Sequence, residues 1–273
     1  MGRHKAVVSE HRAGPTARRA GVLLLGAAAS SALAVGALGS AGVANATCIS
    51  VSGLNSGGDC ISTIGPNIAV GIGQGATATA VNGVFGAAFA VGNGAGATET
   101  GGVFGTAISV GNGADTNITG VATTAVALGP GAQAYIIGKG SPLGQGPTAT
   151  QPAAGDFALA AGNQALAFAG LGAGDVAIAV GNPGPNRTPI TPSYHPTIAG
   201  VNGSLSNALA VGKGDFAAAG TSTAPPLVGI GALNNAVVIG NGSAALAGGT
   251  ATGAPTGNGK LSVAIGNNKY VHH

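Results

Sequence analysis

The chain has 273 residues, of which 53 are Gly, none is Trp and only 6% are charged. Ordinary soluble domains carry about 25% charged residues and about 7% Gly, so this composition argues against a globular enzyme with an aromatic-rich core and for a repeat or fibrous class. Five of the ten basic residues (Arg3, Lys5, Arg12, Arg18, Arg19) crowd the start, and beyond residue 46 five basic residues face six acidic ones, so the clustered Lys and Arg of a nucleic-acid surface are missing.

At the N-terminus, Arg18-Arg19 precede an apolar run from Gly21 to Val43 that ends in Ala44-Asn45-Ala46. A basic region, an apolar region and a small-x-small site predict a signal peptide over residues 1–46, with a signal helix in its apolar part. Cleavage is expected after Ala46, so that Thr47 starts the mature chain. Gly21 and Val22 stand where a twin-Arg signal favours a bulky pair, which points to the general export route. A retained transmembrane anchor is the alternative, because the run is long enough to span. With cleavage, the mature chain is secreted or sits at the cell surface without membrane attachment.

Cys48 and Cys60 are the two cysteines. An isolated pair in an exported chain predicts a disulfide, closing an N-terminal cap over residues 47–64. In the chain-entropy model such a small loop contributes ~2–3 kcal/mol. A stapled cap would protect the raw end of a stacked fold.

Residues 65–273 repeat. GVFGAAFAVGNGA (83–95) and GVFGTAISVGNGA (102–114) agree at ten of thirteen positions, 19 residues apart. A shorter unit, small–large–small–large–Gly, recurs with its Gly at 71, 92, 111, 129, 162, 181, 212, 240 and 266. Period-two alternation predicts short strands with one face buried, and fixed-period self-similarity predicts stacked coils. The fold class is therefore all-β: a parallel β-solenoid of Gly/Ala-rich coils, each built from two half-coils of about nine residues. The large residues, such as Val110 and Ile178, are expected to face inward, and Ser109 and Ala179 outward. Asn follows the Gly in six of the nine units, where a sharp corner needs positive φ and stacked side chains can bond along the axis. The spacing stretches at 141–155, 182–200, 221–227 and 248–259, Gly-, Pro- and Thr-rich segments expected to bulge out as inserted loops.

No catalytic site is legible. His195, His272 and His273 are the only His past residue 46, with no constellation around them. No cofactor or metal is expected. Asp156, Asp175 and Asp215 each follow a Gly, but most coils lack an Asp, which argues against ladder-like calcium binding. Thr pairs such as Thr77/Thr79 and Thr98/Thr100 suggest a second reading, a solenoid binding ice or polysaccharide on a flat sheet face.

LSVAIGNNK (261–269), NALAVGKGDFA (207–217) and AFAVGNGAGA (88–97) resemble the head repeats of trimeric autotransporter adhesins. The resemblance covers residues 65 to 270 and the repeats alone, with neither stalk heptads nor a membrane anchor. It implies left-handed parallel β-rolls that associate as trimers and bind host matrix or other cells. The sequence thus predicts an exported structural or adhesin-like surface protein without catalysis. Its expected partners are itself, as a homo-oligomer, and a component of the cell envelope or a host surface. Self-association is expected from a flat, nearly uncharged outer face of small residues.

Overall fold

The computed structural model describes residues 47–273 except 58, 139–152, 171, 186–193, 221–230 and 249–257. The chain divides into two compact units, Met1–Ala44 and Asn45–His273, and the described residues all belong to the second. The signal helix, the Ala46 side of the cleavage site and most of the four inserted segments lie outside the described residues. Thr47 opens the first described strand.

The described chain is all β. Nine parallel strands form the body of a first sheet: Ile68–Ile72, Ala87–Val91, Thr106–Val110, Thr124–Leu128, Phe157–Ala161, Val176–Asn182, Asn207–Lys213, Asn235–Asn241 and Leu261–Asn267. Ten parallel strands form the second, from Cys60–Ser62 through Thr77–Val81, Gly96–Thr100 and onward to Tyr270–His272. The chain alternates between the sheets, one strand in each per coil, and every coil stacks in register on the last, with Ala88 on Ala107 and Ala107 on Ala125. This is the expected solenoid. The regular part of each half-coil is about five residues and corners supply the rest. Strand Ile198–Ser204 begins inside the segment 182–200, so that insertion is shorter than its spacing suggests.

The strand faces are reversed relative to the sequence-based expectation. Ser109 and Ala179 are fully buried, whereas Val110 and Val180 are 39% and 36% exposed. Ile178 faces outward with Val180 and is half-buried. The core is a column of Ala (Ala88, Ala107, Ala125, Ala158, Ala177, Ala208, Ala236) with a parallel column of Ala, Ser and Val beside it. The cause is the width of the interior. The corner between Val91 and Gly96 is a tight turn, Gly92-Asn93-Gly94-Ala95, closed by the Ala95 N–H on the Gly92 carbonyl at 3.4 Å, and a turn this compact brings the sheets closer than the ~10 Å of sheets packed through full-sized side chains. Ser109 Oγ of the first sheet meets Thr116 Oγ1 of the second at 2.9 Å. Ser50 meets Ser62 across the capped end at 2.6 Å. The short side chains of facing strands already touch, which leaves little room for larger ones in most coils. Val238, fully buried in the same column as Ser109, is the exception on the first sheet, and beside the wider corner Glu99, Ile118, Ile136 and Val201 point inward.

The corners explain the Gly and Asn. At Gly111, φ is +137° and an added Cβ would lie 2.4 Å from the carbonyl oxygen of Gly129 in the next coil. The expected axial bonding by Asn is present in part: Asn93 Oδ1 accepts from the Gln74 backbone N–H and Asn112 Oδ1 from that of Asn93, both at 3.3 Å. Near the C-terminal end, Asn241 Nδ2 donates to Asn267 Oδ1 at 3.0 Å. One anchor shifts. Ile72, not Val70, pairs with Val91, so the first corner Gly is Gly73, and the spacing to Gly92 becomes 19 as in the following coil.

The N-terminal cap is a hairpin. Thr47–Val51 pairs antiparallel both with Leu54–Ser56 and with Ile68–Ile72 of the first coil. Cys48 lies in this hairpin and Cys60 opens the second sheet, so their disulfide joins the two sheets where stacking begins. Both cysteines are buried.

Two substitutions test this packing. Ser109→Asp places an unpaired charge in the closed interior and is expected to cost several kcal/mol, roughly 3 or more, in chemical denaturation. Val110→Asp, one residue on, points to solvent in the single chain and should cost less than about 1 kcal/mol. Equal losses at the two positions would contradict the observed facing. Gly111→Ala, with a forbidden contact as well as an unfavourable φ, should cost at least about 2 kcal/mol in the same assay.

Candidate interaction surface

The large apolar side chains excluded from the core form the outer face of the first sheet. Because coils stack in register, they fall into continuous columns. The central column runs Val70, Phe89, Ile108, Val126, Leu159, Ile178, Leu209, Val237, Val263. The column beside it holds Val91, Val110, Leu128, Val180 and Ile239, each at least 36% exposed, and ends at Ile265, which is 66% exposed. The third column is mixed, with Thr106, Thr124, Asn207 and Asn235 as its polar members. Three outward positions on each of nine strands include no charged residue.

Nine strands at a spacing of ~4.8 Å and five residues at ~3.3 Å give a face of roughly 700 Å². That lies above the apolar patches, about 300–600 Å², that monomers leave in water.

The wider corner adds a ridge along this face. Phe85 and Phe104 stack at 5.1 Å with their planes 3° apart, and both remain about half exposed. Each has φ of +60°, a conformation bulky residues seldom adopt. Leu205 and Leu233 occupy the equivalent corner farther along, also at positive φ and more than half exposed. The alternation of large and small residues is visible in the sequence. Which member faces water is not, because that depends on the gap between sheets.

The second sheet presents a different face. Thr79 and Thr98 are direct neighbours, but Thr77 stands beside Gly96 and Thr100 beside Val81, so the two Thr pairs do not align. With the next coil the column passes to Asn117 and then Tyr135, and no extended Thr row forms. Tyr135 donates its hydroxyl hydrogen to Asp115 Oδ2 at 3.0 Å. Burial pushes the Asp115 carboxyl above its usual range, opposed by that bond, and raises the tyrosine as well, with the Asp115 charge adding to the effect.

The remaining candidate groups do not converge on a reaction centre. Asp156, Asp175 and Asp215 point into the core, where their side chains accept backbone N–H groups. His195 lies in a two-residue strand opposite Gly184, while His272 pairs with Leu246 at the far end of the second sheet. Among the described residues, no three His, Cys, Asp or Glu side chains lie close enough to hold a metal ion. Comparison with family models, with curated proteins and with solved structures finds no match to this chain.

Proposed function

We propose that the chain is an exported, non-enzymatic structural protein of the cell surface or the secreted fraction, built to assemble side by side with copies of itself and to act as an adhesin-like surface component. The observation that carries the reading is the outer face of the first sheet: two of its columns are apolar along their length, and the three main outward positions of each strand carry no charge, with Lys213 at the end of its strand as the one exposed cation among the described strand residues of that sheet. Its area of roughly 700 Å² approaches the ~800 Å² each partner contributes to a standard interface. An edge or face meant for water usually carries Lys, Glu or Thr to prevent such contact.

A second copy of the same chain is the occupant that fits. Its own face has the same columns at the same spacing, and rotational symmetry brings identical patches together without a further partner. A trimer is the stoichiometry favoured by the resemblance to adhesin head repeats. The ground for self-association differs from the sequence-based one: large residues, not small ones, meet at the contact. The opposite end of the function, toward the cell envelope or a host surface, falls to the inserted segments, since insertions on repeat proteins often carry binding faces.

Sedimentation of the purified protein at micromolar concentration should give a homo-oligomer. Val110→Lys combined with Ile178→Lys should give a monomer with an unchanged β-sheet spectrum. A wild-type chain that stays monomeric at all concentrations would overturn the assembly. Export is tested separately. Protein recovered from culture fluid or envelope should begin at Thr47, and a full-length cytoplasmic product would overturn it.

A further inference from the structure

One column of the interior is polar. Where the chain turns from the wider corner into the first sheet, successive coils place Asn67, Gly86, Gly105, Thr123, Asp156, Asp175, Ser206 and Asn234 above one another. At five of these levels a side-chain oxygen accepts the backbone N–H of the corner residue in the next coil. Asn67 Oδ1 accepts from Gly86 at 2.8 Å, Asp156 Oδ1 from Asp175 at 2.9 Å and Asp175 Oδ1 from Ser206 at 3.0 Å. Ser206 Oγ accepts from Asn234 at 3.2 Å, and Asn234 Oδ1 from Lys260 at 2.9 Å. At the Gly86 and Gly105 levels the space is filled by Glu99, which reaches across from the second sheet and accepts from Gly102 N–H at 3.1 Å. Asp215 repeats the arrangement at the opposite corner, accepting from Ser243 N–H at 2.9 Å.

Asn67 shows what the second polar atom does at such a level. Its Nδ2 donates to the Gly83 carbonyl at 2.9 Å and to Thr63 Oγ1 at 3.1 Å. The position accepts one hydrogen bond and donates another. An ionised carboxylate has nothing to donate. The second oxygen of Glu99, Asp156, Asp175 and Asp215 is buried without a partner among the described residues. All four side chains are at most 1% exposed.

We propose that these four interior carboxyls act as the neutral, hydrogen-bond-donating equivalents of the column's asparagines, so that the roll is tightened by acid and loosened as the pH rises toward neutrality. The surroundings agree. The ionisable group facing Asp156 is Asp175 in the next coil, and each disfavours charge on the other. Glu99 faces Asn67 and the backbone of Gly83, Gly86, Gly102 and Gly105. Asp215 faces Gly212 and Ser243, and Lys213, two residues away, is exposed. Burial raises Asp156 to about 6 and Asp175 and Glu99 to about 7, and raises Asp215 as well, outweighing the backbone N–H groups that favour the ion: those of Asp175, Gly174 and Ala154 at Asp156, of Ser206 and Gly203 at Asp175, of Gly102 at Glu99, and of Ser243 and Gly240 at Asp215. In the unfolded chain these groups titrate at their ordinary values of 3.8 and 4.5. The native state therefore holds protons that the unfolded state has released. Their contribution is fully present below about pH 4 and is lost as the pH rises through about 6 to 7.

Thermal melts of the purified protein between pH 5 and pH 8.5 test the proposal. Wild type should lose several degrees of melting temperature over that range. Asp156→Asn with Asp175→Asn keeps the acceptor and supplies a permanent donor. It should melt higher than wild type at pH 8.5 and show a visibly flatter profile, since all other ionisable groups are common to both chains. A wild-type profile that is flat or rises with pH would overturn the proposal, as would a double variant with the full wild-type slope. If the double variant does not fold, infrared spectroscopy of the wild type decides. Carboxylic-acid C=O absorption present at pH 5 and lost by pH 8.5, with the sheet signal retained, supports the proposal. Absence of that band at pH 5 overturns it.

Discussion

Ser109 on one sheet touches Thr116 on the other at 2.9 Å, and the interior of the roll is no wider than that contact allows. Four-residue corners hold the sheets this close, and the corners are short because Gly and Asn take backbone conformations that most residues avoid. Everything larger than Ala, Ser or Thr is turned outward along most of the length. The usual rule that the largest apolar side chains fill the core is overridden along most of the roll by geometry, since the sheets lie too close to take a large side chain at every inward position, and Val238 is the one such residue in the column of Ser109. The exceptions follow the same reasoning. Ile118, Ile136 and Glu99 point inward beside the wider corner, where Gly86 and Gly105 leave room.

A core of Ala buries little apolar area per residue, so the roll depends more than most folds on its hydrogen bonds. Parallel ladders satisfy the backbone of each sheet, and corner side chains extend the same pairing along the axis. That arrangement works only where a neighbouring coil exists. At the N-terminal end the role passes to the antiparallel hairpin and to the Cys48–Cys60 bridge, which joins the sheets independently of a preceding coil. The interior carboxyls belong to this same economy of polar groups, each accepting a backbone N–H in the buried interior, where a charge is costly.

Register turns a local feature into a surface. Each coil contributes two or three apolar side chains, which alone would be unremarkable on any protein. In-register stacking aligns them into columns the length of the sheet, and the three main outward positions of each strand carry no charge to keep a second such sheet away. The same narrowness that makes the interior poor in apolar area makes the exterior rich in it. A side-by-side assembly would recover the burial that the single chain forgoes, and would give the stack a second, thicker core between copies.

The sequence by itself determined the period, the strands, the corners and the cysteine bridge. These are local properties: alternation of side chains, residues tolerant of positive φ, and two cysteines twelve apart in one cap. It determined which residues share a face as well, since Val110, Val180 and Ile239 were legible as one set and Ser109, Ala179 and Val238 as the other. Alternation is symmetric, however, and does not say which set is inside. Only the tertiary structure decided that, because the answer depends on the distance between two sheets, and no single strand carries that information. The same distance turned the aspartates that follow glycine into interior groups. It also moved the first corner from Gly71 to Gly73, where pairing with Gly92 in the next coil, and not the short motif itself, sets the register.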